Sequence, residues 1–299
     1  MADPAIVTQN LTKSYGHVRA LQGVDLEVRR GEIFGFLGPN GAGKTTTIRC
    51  LLDMIRPDGG TVRVLGLDPQ ADPVAVHART GYLPGELHFD ENLSVEKALH
   101  YLNALRGHKA DWGYIRLLSE RLDLDFRMPI KHLSKGNKQK VGLVQALMHQ
   151  PELLLLDEPT SGLDPLLQQE TLRMVKQAAT QGATVFFSSH ILAEVQEIAD
   201  RVGIIRKGRI VEVAETGALM RRALRRVRLR FRDEAPVDAL ASVPGVTVLS
   251  AGDGLSVLLQ VEGEMDALIK VLARYTVVEF ETERPSLEEV FLAYYEAQA

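Results

Sequence analysis

The chain has 299 residues, of which 45% are hydrophobic and 25% are charged, and its formal net charge is −4. This is the composition of an ordinary globular protein with a large core, and it excludes the strong basic excess that is typical of nucleic-acid-binding proteins. The single cysteine, Cys50, excludes a disulfide within the chain, and no apolar run approaches the roughly 20 residues that a membrane-spanning helix needs.

Up to about residue 215 the chain alternates between strand and helix patterns. Short strands are expected within residues 5–30, and the apolar run 33–37 is typical of a buried strand that leads into a glycine-rich segment. Helical periodicity over 94–127 predicts an inserted helical subdomain, which we place at about residues 90–150. The other predicted elements are helices at 46–54, 137–149, 165–180 and 190–199, and strands at 152–157 and 184–188. Strands that alternate with helices predict an α/β fold with a largely parallel sheet.

A second pattern begins near residue 215, after which seven arginines fall between Arg221 and Arg232. Strands are predicted at 227–232, 246–250, 255–261 and 277–282, with helices at 236–242, 263–274 and 286–296. This βαββαβ order predicts a small ferredoxin-like α+β domain at residues 216–299, separate from a first domain at 1–215. The arginines could contact anionic lipid, nucleic acid or an acidic partner, but the alternating apolar residues favour the solvated face of a helix and a strand.

A phosphate-binding motif lies between the predicted strand 33–37 and the helix after it. It matches the pattern G-x-x-x-x-G-K-[ST] and consists of Gly38, Pro39, Asn40, Gly41, Ala42, Gly43, Lys44 and Thr45, followed by Thr46. Glycines let backbone N–H groups turn towards phosphate oxygens, and the positive end of the helix dipole points at the same anion. Lys44 is expected to reach the β- and γ-phosphates of ATP, and the Thr45 hydroxyl to bind Mg²⁺. A glycine-rich turn with a chance lysine is the alternative.

Two carboxylates follow an apolar strand. The run 153–156 leads directly into Asp157 and Glu158. In a parallel sheet such a strand delivers its carboxylates to the carboxyl edge, where the ligands of α/β proteins bind. Asp157 is expected to hold Mg²⁺, directly or through water, and Glu158 to act as the general base that polarises the attacking water. A solvated acidic pair at a strand end is the alternative.

Two further motifs make the nucleotide site more specific. One is Leu133-Ser134-Lys135-Gly136-Asn137 at the head of a predicted helix, and the other is Ser161-Gly162-Leu163-Asp164, followed by Ser189-His190 at the end of the next strand. With the phosphate loop and the LLLLDEP strand, these motifs stand in the order of ATP-binding cassette proteins. Over about residues 5–215 the chain resembles that family, which implies a P-loop ATPase cassette with a mixed sheet core and a helical subdomain.

By this resemblance, two cassettes would form a head-to-tail dimer around ATP, with Ser134 and Gly136 of one cassette contacting the γ-phosphate held by the other. His190 would contact the γ-phosphate and steady the attacking water, and Asp164 would signal across the dimer. Tyr15 stands where the family places an aromatic ring against adenine. The alternatives are helix N-caps for Ser134 and Asp164, a surface or capping role for His190, and core packing for Tyr15.

The sequence departs from the family pattern in two places. Gly85, in the segment GYLPGE, occupies the position where the family carries a glutamine, and Glu86 could replace that glutamine as an Mg²⁺ ligand if the loop shifts by one residue. Lys135 and Asn137 replace a glycine and a glutamine of the signature motif, although its two phosphate-contacting residues remain. An active ATPase is still expected, and these changes are compatible with slow turnover.

The last features bear on partners. The tail segment 285–291 and the YLP-x-E loop resemble the subset of cassettes that serves drug-, antibiotic- or toxin-export systems with separate permease chains. The expected protein is an ATPase subunit that dimerises, most simply as a homodimer, binds two MgATP and drives a permease from the cytoplasmic face of the membrane. No nucleic-acid partner is expected. The alternatives are a soluble cassette protein that acts on ribosomes or DNA, and a regulatory or weakly active nucleotide-binding module.

Overall fold

The computed structural model describes residues 3–218, 225–262 and 264–283. By its internal contacts the chain divides into two compact units, Met1–Ala214 and Glu215–Ala299. The predicted helix 286–296 lies outside the described residues, as does the tail segment that resembles export ATPases.

The first unit consists of two sheets and the helices that pack on them. Its strands are β1 (Ile6–Tyr15), β2 (Val18–Val28), β3 (Ile33–Leu37), β4 (Gly59–Val64), β5 (Thr80–Leu83), β6 (Leu153–Asp157), β7 (Thr184–Ser189), β8 (Arg201–Arg206) and β9 (Arg209–Glu215). Its helices are α1 (Lys44–Leu51), α2 (Pro73–Arg79), α3 (Val95–Leu105), α4 (Trp112–Arg121), α5 (Lys135–Leu147), α6 (Pro165–Thr180) and α7 (Leu192–Ile198), with a 3₁₀ helix at Ile130–His132.

The larger sheet has the strand order β5-β6-β7-β3-β8-β9. The pairs β5–β6, β6–β7, β7–β3 and β3–β8 are parallel, so the prediction of an α/β fold with a largely parallel sheet is confirmed. β9 returns from β8 through Lys207-Gly208, and so short a link permits only antiparallel pairing. The smaller sheet, β2-β1-β4, is antiparallel throughout. The sheet core is therefore mixed, as the resemblance implied.

The centre of the larger sheet is an aromatic core. Phe34, Phe36 and Phe186 are fully buried on β3 and β7, and the Phe186 ring centroid lies 5.8 Å from that of Phe34 and 5.1 Å from that of Phe36. Every residue of β3, β6 and β7 is buried. β3 and the four leucines of β6 are continuous runs without polar alternation, as expected for strands that are covered on both faces. The loops at the carboxyl edge of the sheet follow directly after these packed strands, which fix where the loops begin.

Five elements of the first unit were missing from the sequence predictions: β4, α2, β5, β8 and β9. Two of them show why. β4 begins with Gly59-Gly60, a dipeptide that is more typical of a turn, but Gly60 (φ 86°) lies against the backbone of β1, where a side chain would not fit. α2 has seven residues and is too short to show helical periodicity. It is recognisable only by its start, where Asp72 accepts a hydrogen bond from Ala75 N at 3.1 Å and Pro73 occupies the first helical turn.

Arg106, which follows α3, joins the helical segment to the edge of the larger sheet. Its guanidinium donates to the carbonyl oxygens of His77 and Thr80, each at 3.3 Å, and Nη1 lies 3.0 Å from His149 Nε2. Burial, and after it the positive charge of Arg106, lower the pKa of His149 to about 4. The imidazole is therefore neutral in the folded protein at neutral pH.

The free energy of unfolding is expected to decrease as the pH falls from about 6.5 towards 4. Unfolded His149 takes up a proton near its ordinary pKa of 6.5, whereas the folded imidazole resists protonation until about 4. The stabilisation present above pH 6.5 is therefore lost within this window. Urea unfolding of wild type and His149→Gln at pH 7 and pH 5 measures the effect. The variant should lose less stability over this interval, and an equal loss in both proteins would contradict the assignment.

In the second unit, the described residues between 225 and 283 form an antiparallel sheet with two helices. Its elements are β10 (Arg225–Phe231), α8 (Val237–Ala241), β11 (Val246–Ala251), β12 (Ser256–Val261), α9 (Asp266–Leu272) and β13 (Val277–Glu283). The strand order β11-β12-β10-β13, with every neighbouring pair antiparallel, is that of a ferredoxin-like βαββαβ fold. The predicted fold of this region is thereby confirmed for the described residues.

The arginines of β10 lie on its solvated face. Arg228 and Arg230 are exposed, and their guanidinium groups lie 3.7 Å and 3.8 Å from the carboxylates of Glu281 and Glu279 on β13. The apolar residues that alternate with them are buried in the core of this unit: Val227, Leu229 and Phe231. The interpretation of the arginine run as a strand face is confirmed here, and the neighbouring carboxylates offset its positive charge.

Candidate active site

The predicted phosphate-binding and catalytic residues converge at the carboxyl edge of the larger sheet. The phosphate loop follows β3, Asp157 ends β6 with Glu158 directly after it, and His190 follows β7. Gly85 comes two residues after β5. These four strands are consecutive neighbours in the sheet, and parallel strands end at the same edge. The topology therefore brings together loops that are far apart in the sequence.

The Lys44 side chain lies inside the phosphate loop and is hydrogen-bonded to the backbone of that loop. It is only 6% exposed, and its Nζ donates to the carbonyl oxygens of Gly38 at 2.6 Å and Pro39 at 3.3 Å. Gly43 has φ 114°, and a side chain there would approach the carbonyl oxygen of Ala20 to 2.8 Å, so only glycine fits. Of the other loop residues, Ala42 is buried, Thr45 and Thr46 are half-buried, and Asn40 and Gly41 are exposed. An ammonium group at the start of α1 is well placed for an anionic phosphate.

Thr45 and Asp157 place two oxygen donors side by side. Thr45 Oγ1 donates to Asp157 Oδ2 at 2.6 Å, and Ser188 Oγ donates to Asp157 Oδ1 at 2.5 Å. Asp157 is almost fully buried and needs such partners, because an unpaired buried carboxylate is costly. Hydroxyl and carboxylate oxygens are the ligands that Mg²⁺ prefers at phosphate sites, so the donor set fits this ion.

Glu158 lies between the phosphate-loop lysine and the strand-end histidine. Its Oε1 is 3.3 Å from Lys44 Nζ, and its Oε2 is 2.6 Å from His190 Nδ1. The Glu158 side chain is 21% exposed and that of His190 47%, so that solvent reaches both groups. A carboxylate that borders the phosphate loop and is open to water can accept the proton of an attacking water molecule.

The backbone of Glu158 is in the left-handed region, with φ 52°, which a residue with a side chain rarely adopts. Its N–H donates to the carbonyl oxygen of Ser188 at 3.2 Å and to Ser188 Oγ at 3.1 Å, and Gln139 Nε2 donates to its carbonyl oxygen at 3.0 Å. Such a conformation persists only where the surroundings hold it. Neither partner was among the predicted site residues, because their only signals in the sequence are a serine at a strand end and a glutamine in the second turn of a helix.

The signature motif begins α5 and packs against the loop that follows Glu158. Ser134 is exposed and caps α5, accepting a hydrogen bond from Asn137 N at 3.2 Å. A side chain at Gly136 would lie 2.5 Å from the carbonyl oxygen of Gly162, so the glycine of the motif permits a close backbone approach. Two motifs that are separate in the sequence, Leu133–Asn137 and Ser161–Asp164, are thus in contact.

Asp164 caps the next helix, α6. Its Oδ1 accepts hydrogen bonds from Leu166 N and Leu167 N, each at 3.1 Å. The N-cap role that was the alternative for Asp164 and for Ser134 is therefore present in both. Contact of Ser134 with a γ-phosphate and signalling by Asp164 stay predictions.

Gly85 lies against Asp157. A Cβ at this position would be 3.2 Å from Asp157 Oδ2, so the residue that replaces the family glutamine borders the Thr45–Asp157 pair without offering a side chain to it. Glu86 has an exposed side chain. Its carboxylate would need a shift of this loop to act as an ion ligand.

The Glu86 side chain is exposed in the structure. The variant Glu86→Ala is therefore expected to leave the Mg²⁺ concentration for half-maximal ATPase activity within about twofold of wild type. Thr45→Val removes a hydroxyl beside Asp157 while keeping the side-chain shape, and is expected to raise that concentration about tenfold. Mg²⁺ titrations at saturating ATP compare the two variants. A tenfold rise in Glu86→Ala as well would show that the loop moves and that Glu86 binds the ion.

Tyr15 ends β1 at the tip of the β1–β2 hairpin, and Ala20 of the same hairpin borders the phosphate loop. The tyrosine ring is 47% exposed, and Lys13 Nζ lies 5.9 Å from its centre. Lys13 is also paired with Asp58 at 2.9 Å. An exposed aromatic ring is available to stack on a base, and the contact of Tyr15 with adenine stays a prediction.

Fold and site define a P-loop nucleotide-binding protein, with a glycine-rich loop between β3 and α1, a buried lysine and an acidic pair at the end of a neighbouring strand. Residues 21–161 match the family described as ABC transporter. The daunorubicin resistance ATP-binding protein DrrA3 of Streptomyces coeruleorubidus is 36% identical over 316 residues, which cover 98% of this chain and 96% of that protein. The chain belongs to the ABC transporter family, and it is the ATP-binding, ATP-hydrolysing subunit of such a transporter.

Other similarities agree with this assignment. Residues 219–295 match a second family, which is described as the C-terminal domain of DrrA1-3-like ATP-binding proteins. The bacitracin transport ATP-binding protein BcrA of Bacillus licheniformis is 36% identical over 77% of this chain and 76% of its own length. A solved ATP-binding subunit of an ABC transporter has a TM-score of 0.67 at 28% identity, covering 73% of this chain and 92% of that one. A dimeric cassette bound to ADP and phosphate shares the fold, with a TM-score of 0.64 at 20% identity over 71% of this chain and 98% of that one.

Subunits of this kind dimerise and work with membrane permeases. Among the residues that the structure describes, none of the helices has the length and the apolar character of a membrane span.

Proposed function

We propose that this chain is the ATPase of an exporter for a drug- or antibiotic-like compound, and that it drives a separate permease from the cytoplasmic face of the membrane. The observation that supports this is the extent of the similarity to DrrA3, which covers 98% of this chain and so includes the second unit. DrrA3 is named for daunorubicin resistance and BcrA for bacitracin transport. These names support a drug- or antibiotic-like compound as the exported substrate.

In the proposed reaction, water attacks the γ-phosphate of ATP in line, and Glu158 accepts its proton. The carboxylate has His190 Nδ1 at 2.6 Å and Lys44 Nζ at 3.3 Å. His190 steadies the water, and Lys44 offsets charge on the β- and γ-phosphates. Thr45 and Asp157 would hold Mg²⁺, which when bound neutralises phosphate charge.

The other half of each site is proposed to come from a second copy of the chain. Ser134 and Gly136 stand at the start of α5, where backbone N–H groups and an exposed hydroxyl can donate to a γ-phosphate. The dimer closes around two MgATP, with Asp164 facing the partner and Tyr15 stacking on adenine. A dimeric arrangement with ADP and phosphate bound has been solved for a protein of the same fold.

Inverted membrane vesicles from cells of the organism that carries this chain test the proposal. ATP-dependent quenching of daunorubicin fluorescence, or ATP-dependent uptake of labelled bacitracin, is expected with the wild-type chain and not with Glu158→Gln. The chain should also sediment with the membranes and co-purify in mild detergent with a multi-spanning chain. An active ATPase that stays in the supernatant and supports uptake of neither compound would contradict the exporter and favour the soluble regulatory alternative.

A further inference from the structure

Glu194 is a buried carboxylate to which the reaction above assigns no role. It lies on α7 and is 6% exposed, so that its burial must be offset by hydrogen bonds. Thr160 Oγ1 donates to its Oε1 in a short hydrogen bond, and Ser189 Oγ donates to its Oε2 at 2.6 Å. Both oxygens of the carboxylate are thus used, each by a hydroxyl from a different loop of the active site.

The first of these hydroxyls belongs to the loop that begins at Glu158. Thr160 is 2% exposed, and its carbonyl oxygen accepts a hydrogen bond from Leu163 N at 3.2 Å. Ser161 N donates to the carbonyl oxygen of Glu158 at 3.1 Å. Thr160 therefore anchors a turn with Glu158 at one end and the Gly162–Asp164 segment at the other.

The second hydroxyl lies beside His190. Ser189 is the last residue of β7, and its Oγ accepts a hydrogen bond from Ile191 N at 2.8 Å. The Ser189 hydroxyl therefore bridges the two ends of the turn whose central residue is His190. The same hydroxyl donates its hydrogen to the Glu194 carboxylate. The Glu194 carboxylate is accordingly the common anchor of the segments that carry the general base and the histidine.

We infer that Glu194 is a positioning residue for ATP hydrolysis, which sets the loop of Glu158 and the turn of His190 at a fixed separation. The separation matters because His190 Nδ1 and Glu158 Oε2 are 2.6 Å apart, and displacements of about 1 Å in a catalytic constellation can cost 10²-fold in rate. Glu194 acts through Thr160 and Ser189 and touches no reacting atom. The inference rests on the ATPase activity and does not depend on the exported compound.

The competing explanation is that Glu194 only stabilises the fold. A carboxylate in the first turn of a helix interacts favourably with the helix dipole, and Glu194 occupies that turn of α7. Glu197 lies on the same helix with an exposed side chain, which makes Glu197→Gln a matched control. The two roles differ in what they predict for kcat at constant folded fraction.

The test is Glu194→Gln in the full-length chain, with kcat, KM for MgATP and Tm measured in parallel. We expect kcat to fall about tenfold, with KM and the affinity for a fluorescent ATP analogue within about twofold of wild type. Glu197→Gln should match wild type in all of these. Unchanged kcat, a KM that rises in proportion, or a loss of activity that follows the unfolded fraction would overturn the inference.

Two further comparisons separate positioning from bulk stability. Thr160→Val removes one hydrogen bond while keeping the side-chain shape, and combined with Glu194→Gln it should lower kcat little more than Glu194→Gln alone, because contacting residues are not additive. Likewise, Glu194→Gln should cost little in a His190→Ala background. If Glu194→Gln does not fold, Thr160→Val and Ser189→Ala replace it, and wild-type kcat in both would overturn the proposal.

Discussion

Glu158→Gln is expected to lower kcat for ATP hydrolysis by about 10²–10⁴-fold while leaving the affinity for MgATP within a few-fold of wild type. The side-chain amide has the size of the carboxylate. The backbone of residue 158 keeps its hydrogen bonds with Ser188 and Gln139, because these bonds do not involve the side chain. It cannot accept the proton of the attacking water. Phosphate release under steady-state conditions measures kcat, and a fluorescent ATP analogue measures binding.

The matched control is Glu152→Gln. Glu152 immediately precedes β6, at the opposite end of the strand from Glu158, and it pairs with Arg79 on the protein surface at 2.7 Å. Its kcat should equal that of wild type. If Glu158→Gln kept more than half of the wild-type rate, another group would have to be the base.

Because Glu158→Gln should bind ATP and hydrolyse it only very slowly, the proposed dimer should persist in ATP. Analytical ultracentrifugation detects this dimer.

Lys44→Ala is expected to weaken binding of MgATP by about 10- to 100-fold, the equivalent of losing one or two hydrogen bonds from a charged donor. Lys44 Nζ already lies inside the loop, held by the carbonyl oxygens of Gly38 and Pro39. The loss should therefore be confined to ligands with β- and γ-phosphates, and the weak affinity for AMP should not change. Isothermal titration calorimetry with ATP, ADP and AMP distinguishes these cases.

Lys270→Ala serves as the control for this substitution. Lys270 is exposed on α9 and pairs with Asp266 one helical turn away at 2.7 Å, so its removal should alter neither nucleotide affinity nor kcat. An equal loss of affinity for ATP and AMP in Lys44→Ala would mean that the loop itself had collapsed. That result would contradict a specific role of the lysine in phosphate binding.

The variants of Glu158, Lys44 and Glu194 divide the site into separable functions. Lys44→Ala should change binding, Glu158→Gln should change the chemical step, and Glu194→Gln should change the chemical step by a smaller factor. The order follows from contact: Glu158 Oε1 lies 3.3 Å from Lys44 Nζ. Glu194 contacts only the hydroxyls of Thr160 and Ser189, which belong to the segments of Glu158 and His190.

The sequence by itself determined the class of protein. The phosphate loop and the acidic strand end are short contiguous segments whose chemistry follows from residue type and spacing within about eight residues. The signature motif, also contiguous, completed the resemblance to ATP-binding cassette proteins. The buried strands β3 and β6 were also predictable, because a strand that is covered on both faces is a largely continuous apolar run. The αβ alternation and the βαββαβ order then indicated both folds.

The tertiary structure alone decided which polar residues support the site. Thr45 and Asp157 are 112 positions apart and meet at 2.6 Å, and Ser188 reaches both Asp157 and the Glu158 backbone because β6 and β7 pair with Asp157 beside Ser188. A register slip of one residue would turn that serine to the opposite face of the sheet. Glu194 and Gln139 reach the site from helices, so no local spacing marks them. Such contacts depend on long-range register and packing, which a residue pattern along the chain does not encode.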